Sequence, residues 1–147
     1  MSALYINIHS HTPAQPGEWA IQNLYKNFNN ITIPGIYSAG LHPWYIHKTA
    51  WKQEFESLKS ICRNEHVIAI GECGLDKICS TPFLLQQEVF IAQLLWANEI
   101  NKPLIIHCVR AFDEILKLLD IHKNKVPVIF HGFNKNRLLA EKLSAKG

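Results

Sequence analysis

The chain of 147 residues is 48% apolar and 18% charged, with 15 Lys and Arg against 12 Asp and Glu and a formal net charge of +3. That balance excludes a disordered chain and supplies the apolar surface for one globular domain, residues 1–147. No apolar run approaches the ~20 residues of a membrane-spanning helix, no secretory signal pattern opens the sequence, and Cys62, Cys73, Cys79 and Cys108 form no C-x-x-C pair, so a cytoplasmic, membrane-free protein with free thiols is expected.

Leu4 to His9 reads as a first strand. After a loop containing Pro and Gly, Ile21, Leu24, Tyr25 and Phe28 recur at i, i+3, i+4 and i+7, which predicts a helix with one apolar face. Tyr37 to Leu41 is a second, weaker strand, and Trp51, Phe55, Leu58 and Cys62 mark the next amphipathic helix. The third strand, Val67 to Gly71, is nearly all apolar, as a parallel strand covered by helices should be. Pro82, a good first-turn residue, opens a long helix to about Asn98 in which Leu85, Val89, Ala92 and Trp96 share a face. Pro103 to Cys108 is the fourth strand, followed by a helix striped by Phe112, Ile115, Leu116 and Leu119. Val126 to Phe130 is the fifth, and Asn136 to Ala145 a last helix.

Such alternation predicts an α/β fold, a parallel sheet with outer helices. Units of this size match the strand–helix pairs of a TIM-type (β/α) barrel. A closed eight-stranded barrel takes ~250 residues, so about five of its eight units are expected here.

His9 and His11 stand two apart at a strand end, so extended backbone directs both imidazoles to one face. Glu72 follows the apolar run Val67 to Gly71, His107 follows Leu104 to Ile106, and His131 follows Val128 to Phe130. Parallel strands end at one edge, so these five donors meet at one rim. A carboxylate after such a run is costly to bury alone, and the joint pattern points to a metal site. Imidazole and carboxylate donors suit zinc, manganese and their neighbours better than calcium. Cys73 and Cys108 adjoin donors but alternate to the other face, and are not assigned to the metal.

His9-Ser10-His11, Gly40-Leu41-His42-Pro43, Gly71-Glu72-Cys73-Gly74-Leu75-Asp76, Ile106-His107-Cys108-Val109-Arg110-Ala111 and His131-Gly132-Phe133 together resemble, in order, the motifs of the TatD family of metal-dependent deoxyribonucleases. Gln87 to Gln93 and Pro103 resemble the segment between its third and fourth motifs. The resemblance implies a (β/α)8 barrel related to the amidohydrolases that hydrolyses phosphodiester bonds in DNA with two divalent ions, of the zinc, magnesium or manganese kind. His9 and His11 would hold one ion and His107 and His131 the other. Glu72 would stand between them as the catalytic carboxylate, and His42 and Arg110 would contact substrate phosphate. The family also draws an aspartate from its last barrel strand, and this sequence ends before that strand. Asn7 stands where the family's first motif usually carries Asp, which removes a charge from beside His9.

Alternatives accompany each reading. His42 before Pro43 shapes a turn, Arg110 pairs with an acid such as Asp113, and Asp76 orients a neighbouring ligand or closes a turn. For the whole chain, the alternatives are a metal-dependent hydrolase of small esters or amides, or a catalytically inactive truncated remnant. A sheet of so few strands leaves open edges through which the chain is expected to self-associate.

Overall fold

The computed structural model describes residues 5–26, 28, 31 and 35–145, so Leu4 of the expected first strand lies outside the described residues. Among the described residues, six strands form one sheet: β1 (Tyr5–Ser10), β2 (Glu18–Leu24), β3 (Ile36–Ala39), β4 (Val67–Asp76), β5 (Leu104–Val109) and β6 (Val128–Phe130). Their spatial order is their chain order, and every neighbouring pair is parallel. Four helices accompany them: α1 (Trp51–Ile61), α2 (Phe83–Ile100), α3 (Phe112–Ile121) and α4 (Arg137–Ser144).

The helix expected from Ile21, Leu24, Tyr25 and Phe28 is instead β2 and the residues after it. Ile21 packs with Ala69 and Ile105 on one face of the sheet, whereas Leu24 and Phe28 enter the large core on the other. Residues three apart in a strand point to opposite faces, so the spacing that imitates a helical stripe serves two faces here. Pairing on both sides, Tyr5 with Glu18 and Ile21 with Ile36, then holds the segment extended. The sheet therefore has one strand more than the pattern suggests, with no helix between β1, β2 and β3 among the described residues.

The larger core lies between sheet and helices, where Leu58 of α1, Phe90 and Leu94 of α2, and Ile115 of α3 pack on Ile70, Leu104 and Ile106. The smaller cluster, Ile21, Ala69 and Ile105 with Ile36, Ile68 and Ile129 against it, fills the opposite face. Six flat strands would span about 24 Å. Yet the ring of His9 in β1 lies 4.0 Å from that of His131, the residue following β6. The sheet must therefore curl, as an incomplete barrel does, and bring its outer strands together at the rim.

Helix α2 fastens that rim from outside through two buried amides. Gln86 accepts a hydrogen bond from the Asp76 N–H (2.7 Å) and donates to the Asp76 carbonyl (3.0 Å) and the Thr81 carbonyl (2.7 Å). Gln93, two turns on, accepts from the Leu41 N–H (2.7 Å) and donates to its carbonyl (3.1 Å). The two glutamines thus hold the backbone on which Asp76 and His42 stand. Substituting Gln86 by Leu, which keeps the bulk and strands the Asp76 N–H and C=O, is expected to lower stability by about 2–4 kcal/mol in urea titration. A change below about 1 kcal/mol would show that these buried amides do not hold the rim.

Candidate metal centre

Glu72 is only 3% exposed, yet it is the hub of the rim. Its Oε2 lies 3.1 Å from His9 Nε2, and its Oε1 lies 2.9 Å from His107 Nδ1 and 3.8 Å from His42 Nε2. Contrary to the expected strand end at Gly71, β4 continues through Glu72 to Asp76. Gly71 (φ +146°) and Gly74 (φ +143°) punctuate this stretch, and its pairing with β5 shifts between Ile70 and Cys73. Both glycines approach β5 so closely that an added Cβ would lie 2.3 Å from the Ile105 carbonyl oxygen and 2.0 Å from that of His107. Asn23 of β2 accepts a hydrogen bond from the Glu72 N–H (2.8 Å) and another from the Ser38 hydroxyl (3.3 Å).

The imidazoles surround this carboxylate. His9 Nε2 and His11 Nε2 are 3.2 Å apart, consistent with one face, while Ser10 turns away to bond the Thr12 carbonyl. His9 is buried and His11 exposed. Asn7 Oδ1 accepts from the His9 backbone N–H (3.2 Å) and Asn7 Nδ2 donates to Glu18 (2.9 Å), so Asn7 secures the strand, not the ring. Among the described residues, two donor groups each have ligand atoms lying within 4.8 Å of one another: His9, Glu72 and His131, and His42, Glu72 and His107. This division differs from the one implied by family resemblance, because the curled sheet sets His131 beside His9. His11 adjoins His9 but belongs to neither group.

The hydrogen bonds distinguish what each ring can do. His42 caps the short 3-10 turn Pro43–Tyr45, its Nδ1 accepting the Trp44 N–H at 3.1 Å. A neutral imidazole that accepts at Nδ1 carries its proton on Nε2, so His42 faces the centre as a hydrogen-bond donor. The turn and the site are thus served by opposite nitrogens of one ring. His107 Nε2 lies 3.0 Å from Asp76 Oδ2, which also accepts from Trp44 Nε1 at 2.6 Å. Asp76 therefore orients His107 and stands in neither donor group among the described residues. With Nε2 so held, His107 Nδ1 lies 2.9 Å from Glu72 Oε1, to which it donates when protonated, and 3.3 Å from His42 Nε2. His9 Nδ1 is buried without a hydrogen-bond partner among the described residues, the mark of a polar group that something else completes. A carboxylate among imidazoles, with this unpartnered nitrogen beside it, fits a divalent transition cation.

Arg110 follows β5 at φ +55° and is exposed. Asp113, its expected acidic partner, pairs instead with Lys142 at 2.6 Å. Cys73 is fully buried in the helix-side core, where burial drives its thiol pKa upward, and burial pushes that of Cys108 to about 11. Neither belongs to a donor group. Asn23, Tyr25, Trp44 and Tyr45 escaped the sequence reading. Asn23 and Tyr25 lie in the segment whose spacing imitates a helix, whereas Trp44-Tyr45, adjoining the His42-Pro43 motif, is an aromatic signal visible in the sequence.

Protonation follows from this packing. Burial lowers the His42 pKa to about 4, with the positive His107 beside it adding to the effect. Burial also lowers His131, helped by repulsion from His9. Burial would lower His107 too, but its hydrogen bonds to Glu72 and Asp76 outweigh that and raise it above the usual 6.5. For Glu72, burial acts upward, and the bonds from His107 and His9 overcome it, holding the carboxyl well below its usual 4.5. Between about 4 and 6.5 the unfolded chain binds a proton that folded His42 refuses, so stability falls as pH falls, and Glu72 reinforces this below 4.5. For His107 the folded chain holds the extra proton, so its contribution is complete below 6.5 and is lost as pH rises through the folded pKa. In chelator, the thermal midpoint is therefore expected to peak around pH 6.5 and to fall on both sides. A flat profile from about pH 5 to 8 would contradict these assignments.

Comparison with known proteins gives the family and the fold. The family model described as TatD related DNase matches residues 13–147. A "3'-5' ssDNA/RNA exonuclease TatD" of Yersinia pseudotuberculosis is 38% identical over 104 residues, covering 67% of this chain and 38% of the relative. An uncharacterized metal-dependent hydrolase of Methanocaldococcus jannaschii is 33% identical over 110 residues, covering 74% of this chain and 42% of the relative. The chain thus spans about two fifths of the length of these curated relatives. The crystal structure of YjjV, a TatD homologue from Escherichia coli K12, superimposes with a TM-score of 0.80 at 26% identity, covering all of this chain and 67% of that one.

Proposed function

We propose, for a chain that belongs to the TatD related DNase family, that it is a metal-dependent hydrolase cleaving phosphodiester bonds in DNA, built as a single domain over residues 1–147 and working in the cytoplasm. The observation that carries this reading is one buried carboxylate, Glu72, contacting imidazoles from distant parts of the chain. His9, His11, His107 and His131, with Glu72 shared between them, would hold two divalent ions. Bound there, such ions supply Lewis acidity toward phosphoryl oxygens and lower the pKa of water to the neutral range.

The chain's own residues do the rest. Glu72, kept ionised by its neighbours, supplies the negative charge that the cations require and keeps the imidazoles converged. His42, uncharged at neutral pH and carrying its proton on Nε2, donates toward a phosphoryl oxygen without adding a like charge to the cationic site. Asp76 fixes the ring of His107, and Trp44 fixes Asp76. Arg110, exposed beyond β5, supplies a guanidinium to the phosphate backbone.

Incubation of the metal-loaded chain with single-stranded DNA should release nucleotides, and chelation should stop it. A chain that retains stoichiometric metal yet leaves DNA intact while cleaving small esters or amides would overturn the phosphodiesterase assignment. Loss of activity with metal retained on every substrate would identify an inactive remnant.

Self-association belongs to the same reading. The outer strands β1 and β6 each have one unpaired side in the described sheet, and β1 exposes Tyr5 (71%) and Ile6 (68%). Open parallel edges with apolar side chains invite pairing. Sedimentation at tens of micromolar is expected to show dimers or larger species, and a purely monomeric boundary would refute the expectation.

A further inference from the structure

Beside the centre stands an aromatic feature that hydrolysis itself does not use. The rings of Tyr25 and Tyr45 stack, with centroids 5.3 Å apart and planes 26° apart, and Lys26 Nζ lies 4.0 Å from the Tyr45 centroid. Tyr25 directly follows β2 and Tyr45 ends the 3-10 turn, so residues 20 apart in sequence are brought face to face at the rim. Tyr45 is 36% exposed and Trp44 beside it 54%. A core would have no reason to leave these rings in water.

The pair connects directly to the centre, His11 lying 5.8 Å from Tyr25 and His42 lying 5.5 Å from Tyr45, centroid to centroid. It also forms a ridge between two cavities. One, about 400 Å³, contains Glu72, His107 and His131; the other, about 480 Å³, contains Lys26, Leu41 and Glu54. Tyr25, His42 and Tyr45 line both.

We infer that Tyr25 and Tyr45, with Lys26, form a base-stacking platform that seats the nucleobase adjoining the phosphate presented to Glu72. The inference rests on the nucleic-acid reading above. Stacked phenol rings offer a flat apolar surface to any base, which makes such platforms tolerant of sequence. Lys26, whose ammonium lies over the Tyr45 ring, can swing on its flexible stem to the phosphate linking successive nucleotides. Glu54 lines the same cavity as Lys26, and its charge repels that phosphate.

The test compares binding of a decamer of thymidylate with an abasic decamer of the same backbone, by fluorescence anisotropy in chelator. The wild-type chain is expected to bind the thymidylate strand about tenfold more tightly. Tyr45→Ala should erase that preference while abasic binding persists, and Tyr45→Phe, which keeps the ring, should restore it. Equal wild-type affinity for the two strands, or a preference surviving in Tyr45→Ala, overturns the platform; the first needs no variant and so is independent of folding. Cleavage of the abasic strand by the manganese-loaded wild type tests the hydrolase reading separately. Cleavage without base preference refutes the platform alone, whereas base preference without cleavage of either strand supports the platform and refutes the hydrolase reading.

Discussion

Glu72→Ala is expected to lower the affinity of the chain for a divalent cation by at least about a hundredfold, the upper end of what loss of even a supporting contact costs a metal site. Glu72 is the single carboxylate common to both donor groups, and its two oxygens face opposite ways, Oε2 toward His9 and Oε1 toward His107. Removing it takes a ligand from each group at once and leaves only neutral or cationic imidazoles, which repel a dication when protonated. Two measurements check the result. Calorimetric titration with manganese should show saturable binding in the wild type and none in the variant at comparable concentrations. Binding to the folded state alone stabilises it by about 4 kcal/mol at a thousand times the dissociation constant, so manganese should raise the wild-type thermal midpoint and leave that of Glu72→Ala unchanged. A variant that keeps the metal-induced shift would mean that the cation sits elsewhere, and the metal-centre assignment would fall.

Gly74→Ala is expected to destabilise the fold by roughly 3 kcal/mol or more, a cost set by backbone geometry that only glycine adopts without strain. At φ +143° the added methyl would meet the His107 carbonyl oxygen at 2.0 Å, and that oxygen belongs to the neighbouring strand, which cannot yield as a flexible side chain could. Relief requires β4 and β5 to separate where Gly74 pairs with His107. Domains of this size are stable by only about 5–15 kcal/mol, so the urea midpoint should drop sharply. Because His107 is carried on the displaced strand, the remaining folded protein should also bind manganese more weakly. A loss under about 1 kcal/mol would show that the strands can part freely here, contrary to the close approach.

Both predictions concern residues whose importance was partly legible beforehand. Glu72 stood out because an acid after four apolar residues has no inexpensive place in a sheet unless something pairs with it. The glycines flanking the motif were visible, but their role was not, since it depends on the distance to a strand some thirty residues later. The helix read at Ile21 to Phe28 failed for a related reason. Its apolar spacing fits one helical stripe and equally fits a strand with a core on each face, and nothing local distinguishes these. His42 was recognised as a polar group near the substrate side, yet its value as a donor follows from Trp44 N–H occupying its other nitrogen.

The amino-acid sequence by itself determined the alternation of strand and helix from Trp51 onward, the ordered motifs, and which side chains carry the chemistry, because periodicity and residue type act over a few neighbouring positions. Only the tertiary structure decided that residues 18–24 are a strand, that His131 joins His9, that His107 is held by Asp76, and that Tyr25 meets Tyr45. Those outcomes depend on how far the sheet curls and on which ring nitrogen is already engaged. Both are set by packing and hydrogen bonding between segments far apart in the chain, where one-dimensional spacing carries no information about distance.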